Sequence, residues 1–147
     1  MSETLHVVCP QCAAVNRLPE AKLSDDPNCG ACKHRLFVGE PLALNSSNFE
    51  RQLMRNDLPL VVDFWAAWCG PCRMMAPVFE RAAAVLEPRA RFAKLDTEQE
   101  QTLAARFNIR SIPTLAVFQH GREIARHSGA VDFQSLERWL RPHLRPI

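Results

Sequence analysis

All six cysteines fall in three C-x-x-C pairs, Cys9–Cys12, Cys29–Cys32 and Cys69–Cys72, and these are the residues best able to do chemistry in this chain. Sixteen residues separate the first two pairs, within the ~15–20 expected of a four-thiolate zinc site. Pro10 and Gly30 place each pair on a turn, so that Cys9, Cys12, Cys29 and Cys32 converge on one Zn2+ ion. The third pair has different surroundings. An apolar run fit for a buried strand, Leu60 to Trp65, leads through Trp68 to Cys69-Gly70-Pro71-Cys72, and helical spacing of apolar residues follows. The start of a helix leaves backbone N–H groups without partners and carries partial positive charge, worth ~1–2 kcal/mol to an anion in a favourable, partly buried geometry. Cys69 is placed to be the reactive thiolate, and Cys72, one turn later and nearer the core, to be the thiol that resolves.

The elements that position these sulfurs fall into two units. Residues 1–40 form a small zinc-ribbon domain, with short apolar stretches, Leu5–Val8 and Leu36–Val38, flanking the two knuckles. With Phe37 as its one aromatic residue this unit cannot bury enough surface to stand alone, and domains this small need a metal or disulfides. Residues 41–147 read as β-α-β-α-β-α-β-β-α, a mixed sheet with helices on both faces. Ser47 with Glu50, Thr97 with Glu100, and Asp132 are the expected helix caps. Cys72, Met75, Ala76, Phe79, Ala83 and Leu86 share one face of the helix after the third pair, Pro77 interrupts that helix, and His120-Gly121 joins the last two strands.

Composition limits the function classes. With 147 residues, 47% of them hydrophobic, the chain has material for a real core, and its net charge of +2 gives little support to a nucleic-acid or membrane partner. Residues 1–40 hold four Lys/Arg (Arg17, Lys22, Lys33, Arg35) against five Asp/Glu, the wrong sign for a phosphate-binding ribbon. No charged n-region with a long apolar segment opens the chain, and no apolar run approaches the ~20 residues of a membrane span. The expectation is a soluble, cytoplasmic monomer in which these cysteines serve metal and redox roles rather than structural disulfides. A cysteine hydrolase would pair Cys69 with His120, His127 or His143, but a second thiol three residues away would trap it. His6 and His34 read as surface residues beside a tetrahedron that four thiolates already complete.

The run Val62-Asp63-Phe64-Trp65-Ala66-Ala67-Trp68-Cys69-Gly70-Pro71-Cys72, with Pro77 and the later Ile112-Pro113-Thr114, resembles the thioredoxin family over about residues 42 to 144. With the four-cysteine segment in front, the chain resembles the zinc-binding second thioredoxin of bacteria. Arg73 stands where many relatives have lysine, and there is no tyrosine; neither touches the reacting sulfurs. The resemblance implies the α/β thioredoxin fold and reduction of protein disulfides, with thioredoxin reductase as electron donor. It implies that Cys69 attacks and Cys72 resolves. It also implies that Asp63, desolvated within an apolar strand, accepts a proton near neutrality, modulated by Lys94. Pro113 is expected to be cis. Trp68, Gly70, Pro71, Ile112, Pro113, Gly129 and Ala130 match the family's apolar surface for extended substrate segments, while Trp65 packs beneath the site. Gly70-Pro71 looks like the reducing members; the alternatives are an oxidising or isomerising protein of the same fold, or a redox-responsive zinc-binding module.

Overall fold

The computed structural model describes residues 3–146. Strands β1 (Thr4–Val8) and β2 (Val15–Pro19) form an antiparallel hairpin whose closing loop carries the first cysteine pair, and a single bridge, Asn28 to Arg35, closes the loop carrying the second. After them come β3 (Leu42–Ala43), α1 (Phe49–Arg55), β4 (Leu60–Trp65), α2 (Gly70–Leu86), β5 (Arg91–Asp96), α3 (Gln101–Arg106), β6 (Thr114–Gln119), β7 (Arg122–Ser128) and α4 (Phe133–Leu140). The sheet order is β3-β5-β4-β6-β7, with β3, β5 and β4 parallel and β6 and β7 antiparallel. This is the mixed sheet expected from the element order, and the thioredoxin fold that the resemblance implies.

The apolar run of β4 is central because both its faces are covered, the pattern of a strand enclosed on each side. Val61 joins Phe79, Phe92 and Leu136 under α2 and α4, whereas Leu60, Val62 and Phe64 join Phe49, Leu53 and Phe118 on the other face of the sheet. Strand β7 is exposed along most of its length, as an edge can be. The turn from β6 to β7 has positive φ at both His120 (51°) and Gly121 (84°), the twist a tight hairpin needs. Asp132 caps α4 as expected, its carboxylate accepting the Ser135 N–H at 2.8 Å.

Other local expectations give way to side chains placed differently. Ser47 caps nothing; Asn45 and Asn48 fold the turn before α1 by accepting each other's backbone N–H groups, and Glu50 pairs with Arg106 instead. Thr97 donates to the Trp65 carbonyl, and the Asp96 carboxylate receives the Glu98 and Gln99 N–H groups before α3. On α2, Ala82 is buried in place of Ala76, which is exposed. Helix α2 continues through Pro77 as one element, losing only the N–H that would have met the Arg73 carbonyl.

Gly39, between the two units, has φ +72°, and a Cβ there would lie 3.3 Å from the Ala84 backbone of α2. Gly39→Ala is expected to destabilise the protein by about 1–2 kcal/mol, the scale of a left-handed residue with a side chain, read as a lower urea midpoint with unchanged slope.

Candidate active site and metal centre

Strand β4 and helix α2 meet at Cys69, which is the N-cap residue of α2; its sulfur accepts the Cys72 N–H at 3.2 Å. Proline at the first turn suits the helix start, where an N–H would lack a partner. Cys69 and Cys72 are joined as a disulfide, with Cα atoms 5.2 Å apart. Both are nearly buried, packed with Ala66, Trp65 and Ile112, and the Cys69 sulfur lies 3.7 Å from the Ile112 carbonyl oxygen. The Ile112–Pro113 bond is cis, and the Pro113 carbonyl accepts the Gly129 N–H at 2.9 Å, so the loop after β7 is fastened beside the sulfurs. Trp68 is 66% exposed, its indole N–H on the Glu98 carboxylate at 3.0 Å. Pro71 and Ala130 are also exposed, while Gly70, Ile112 and Gly129 are half-buried and Pro113 is buried.

Asp63 is the unusual group of β4. It is 4% exposed, one carboxylate oxygen has no hydrogen-bond partner, and burial lifts its pKa from 3.8 to about 7, against the opposing pull of Lys94. Lys94, an exposed residue, sits opposite it in the β4–β5 register, with its ammonium 5.8 Å from the centre of the Trp65 ring. Asp63, Cys72, Trp65, Lys94, Pro41 and Glu80 line one cavity of ≈ 60 Å³, large enough for a few water molecules.

A raised carboxyl pKa has a stability consequence. Below about pH 4 the group is protonated folded and unfolded alike, and it costs nothing. Between pH 4 and 7 the unfolded chain gives up this proton and the folded chain keeps it, so stability falls as pH rises, and the loss is complete above the folded value. About three units correspond to roughly 4 kcal/mol. Asp63→Asn is expected to stabilise the oxidised protein by up to about that amount at pH 8 and hardly at all near pH 4; equal urea midpoints at both pH values would contradict the burial argument.

In the N-terminal unit the four remaining sulfurs converge, all lying within 4.8 Å of one another. The Cys9–Cys32 and Cys12–Cys29 sulfur separations are 3.6 and 3.7 Å, close to the ~3.8 Å edge of a tetrahedron with ~2.3 Å zinc–sulfur bonds. The donor set and its spacing fit Zn2+. Each knuckle is closed by the same pair of backbone bonds: Ala13 N–H to the Cys9 carbonyl and Cys9 N–H to that of Ala14, then Lys33 N–H to the Cys29 carbonyl and Cys29 N–H to that of His34. The strained backbone therefore falls one residue beyond each pair, at Ala13 (φ 64°) and Lys33 (φ 71°), and not at Gly30.

Residues that sequence reasoning missed hold the two units together. Gln52, Asn56 and Arg91, all fully buried, bond the backbone at Val8 and Cys9. Leu58 completes the hydrophobic cluster around Cys9 and Cys29. His6, expected at the surface, is half-buried: its N–H and ring meet one oxygen of Asp57 while His120 meets the other. Burial pushes the Asp57 pKa up, but the His6 N–H and the His120 and His6 rings outweigh it and hold it low. His127 and His143 flank Trp139, so among the described residues none of the three histidines a hydrolase would need meets Cys69. Nor is any described helix long and apolar enough to cross a membrane.

Comparison with known proteins agrees with this arrangement. Residues 40–142 match the family model described as thioredoxin, and residues 8–34 match that described as the N-terminal segment of thioredoxin 2. Thioredoxin C-3 of Corynebacterium nephridii is 48% identical over 139 residues, covering 95% of each chain. The thioredoxin of Porphyra purpurea is 41% identical over 101 residues, 69% of this chain and 94% of that one. Among solved structures, a mutant thioredoxin from Halobacterium salinarum NRC-1 superposes with a TM-score of 0.66 at 30% identity, covering 76% of this chain and 96% of that one. The chain belongs to the thioredoxin family, whose members are protein-disulfide oxidoreductases, and bears at its front the zinc-ribbon segment of thioredoxin 2.

Proposed function

We propose that this protein reduces disulfides in other proteins through Cys69 and Cys72, with one structural Zn2+ held by Cys9, Cys12, Cys29 and Cys32. The carrying observation is the position of Cys69 at the N-cap of α2, where the Cys72 N–H meets its sulfur at 3.2 Å. The reduced Cys69 thiolate is stabilised there by that N–H and the helix dipole. It attacks one sulfur of a substrate disulfide, forms a mixed disulfide and expels the other sulfur as a thiolate. Cys72, once deprotonated, attacks the Cys69 sulfur and releases the second substrate sulfur. Two electrons pass to the substrate, and the Cys69–Cys72 disulfide remains.

Asp63 shares a cavity with Cys72 and titrates near neutrality, so it accepts the Cys72 proton, with Lys94 setting how readily it does so. Asp63→Asn should therefore slow turnover near pH 7. Trp68, Gly70, Pro71, Ile112, Pro113, Gly129 and Ala130 receive an extended substrate segment through main-chain contacts. Thioredoxin reductase with NADPH restores the dithiol, the chain acts as a cytoplasmic monomer, and the units divide at residues 1–40 and 41–147. The ion supplies no redox chemistry; it fixes the fold of the first unit.

The test is reduction of insulin disulfides with NADPH and thioredoxin reductase, with zinc counted on the same sample. Steady turnover, lost in Cys69→Ser with one zinc retained, is expected. A folded, zinc-loaded protein without turnover would overturn the reducing role.

A further inference from the structure

Three polar side chains of the thioredoxin domain grip the backbone leading into the first knuckle. Asn56 Oδ1 accepts the Val8 N–H at 2.8 Å, Gln52 Nε2 donates to the Cys9 carbonyl at 3.1 Å, and Arg91 Nη2 donates to the Val8 carbonyl at 3.0 Å. Arg91 differs from the other two in bringing a charge. Its guanidinium is buried, lies over the Phe37 ring at 4.7 Å, and leaves Nε without a partner. The carboxylate nearest to it, Glu87, is also buried but stands 3.7 Å from Nη1, and its oxygens face the N–H groups of Gly39 (3.1 Å) and Phe92 (3.4 Å). A buried arginine with so loose an ion pair is costly unless another negative charge compensates it.

Such a charge belongs to the metal centre. Four thiolates around Zn2+ carry a net charge of about −2, and two of them, Cys9 and Cys29, belong to the apolar cluster that also holds Phe37. N–H donors reach those same two sulfurs, from Gln11 and Cys12 to Cys9, and from Ala31 and Asn16 to Cys29. They spread the charge without neutralising it. Arg91 and Glu87 form a dipole whose positive end is fastened one residue from Cys9.

We infer that Arg91 is the charge partner of the zinc–thiolate centre, an outer-shell residue supplied by the other domain that raises the metal affinity of the ribbon. This rests on the zinc assignment proposed above. Outer-shell partners of metal sites are commonly worth 10–100-fold in affinity, and here the partner, bonded to the carbonyl just before Cys9, lies 82 residues beyond that cysteine in sequence.

Competition against a chromophoric zinc chelator on the full-length protein tests the inference, with the sulfur-to-metal charge-transfer band of the Co2+-substituted protein as a second readout. Arg91→Gln combined with Glu87→Gln removes both charges and leaves no unpaired buried carboxylate; it is expected to weaken zinc binding by about 10–100-fold and to shift the band. Glu87→Gln alone keeps the arginine and is expected to bind zinc as tightly as wild type or tighter. Gln52→Met removes a contact to the same knuckle but no charge, and should stay near wild type. Wild-type affinity in the double variant would overturn the inference, as would an equal loss in Gln52→Met or in Glu87→Gln alone. A wild-type protein that takes up no zinc would instead overturn the zinc assignment and this inference with it.

Discussion

Cys72→Ser is expected to turn a catalyst into a single-use trap. The backbone N–H of residue 72 and the N-cap position of Cys69 do not depend on the Cys72 sulfur, so the first attack survives the substitution. On the proposed mechanism, what is lost is the thiolate that releases the product, and a serine hydroxyl cannot take its place at neutral pH. Turnover of insulin should fall by about 10³-fold or more, the scale on which jointly acting groups fail when one is deleted. Mass spectrometry should find one equivalent of substrate joined to Cys69. Continued turnover, or an adduct on the other sulfur in Cys69→Ser, would reverse the roles assigned to the pair.

Removal of zinc under reducing conditions, or Cys29→Ser, is expected to unfold the N-terminal unit while the redox domain stays folded. The cluster around Cys9 and Cys29 consists of short-range packing between Leu5 and Phe37 plus Leu58, too little to fold so small a unit without the ~10–16 kcal/mol that zinc supplies in comparable domains. The two clusters flanking the large sheet draw on residues from Leu42 onward and do not need it. Hydrogen exchange should lose protection in β1 and β2 and keep it in β4 and β6, with insulin reduction persisting. Protection unchanged in β1 and β2 would make the ribbon independent of metal; loss in β4 and β6 would make the chain one cooperative unit.

Much of this was legible in the sequence because it is local. The C-x-x-C spacings, the apolar run of β4, the Asp132 cap and the His120-Gly121 turn each reside within a few neighbouring residues, and each is found as expected. Ser47 and Thr97 fit the local rule equally well and failed: Asn45 and Asn48 fold the turn before α1 through each other's N–H groups, and Asp96 takes those of Glu98 and Gln99 before α3. Gln52, Asn56 and Arg91 gave no signal at all. Their partners lie 43 to 83 residues away, and a polar residue on a helix or at the head of a strand looks like a solvated one until the unit that covers it is in place.

The location of the two sulfur clusters along β4 carries a last consequence. Leu58, just before the strand, packs with Cys9 and Cys29, whereas Trp65, at its far end, packs with Cys69 and Cys72. The six residues of β4 span about 17–20 Å, and thiol exchange requires sulfurs in contact. A protein that handles other molecules' disulfides while carrying six cysteines of its own thus keeps its wiring uncrossed: a thiolate released at one end of β4 has no path to the four at the other, and oxidising equivalents arriving from substrates leave by the route they entered.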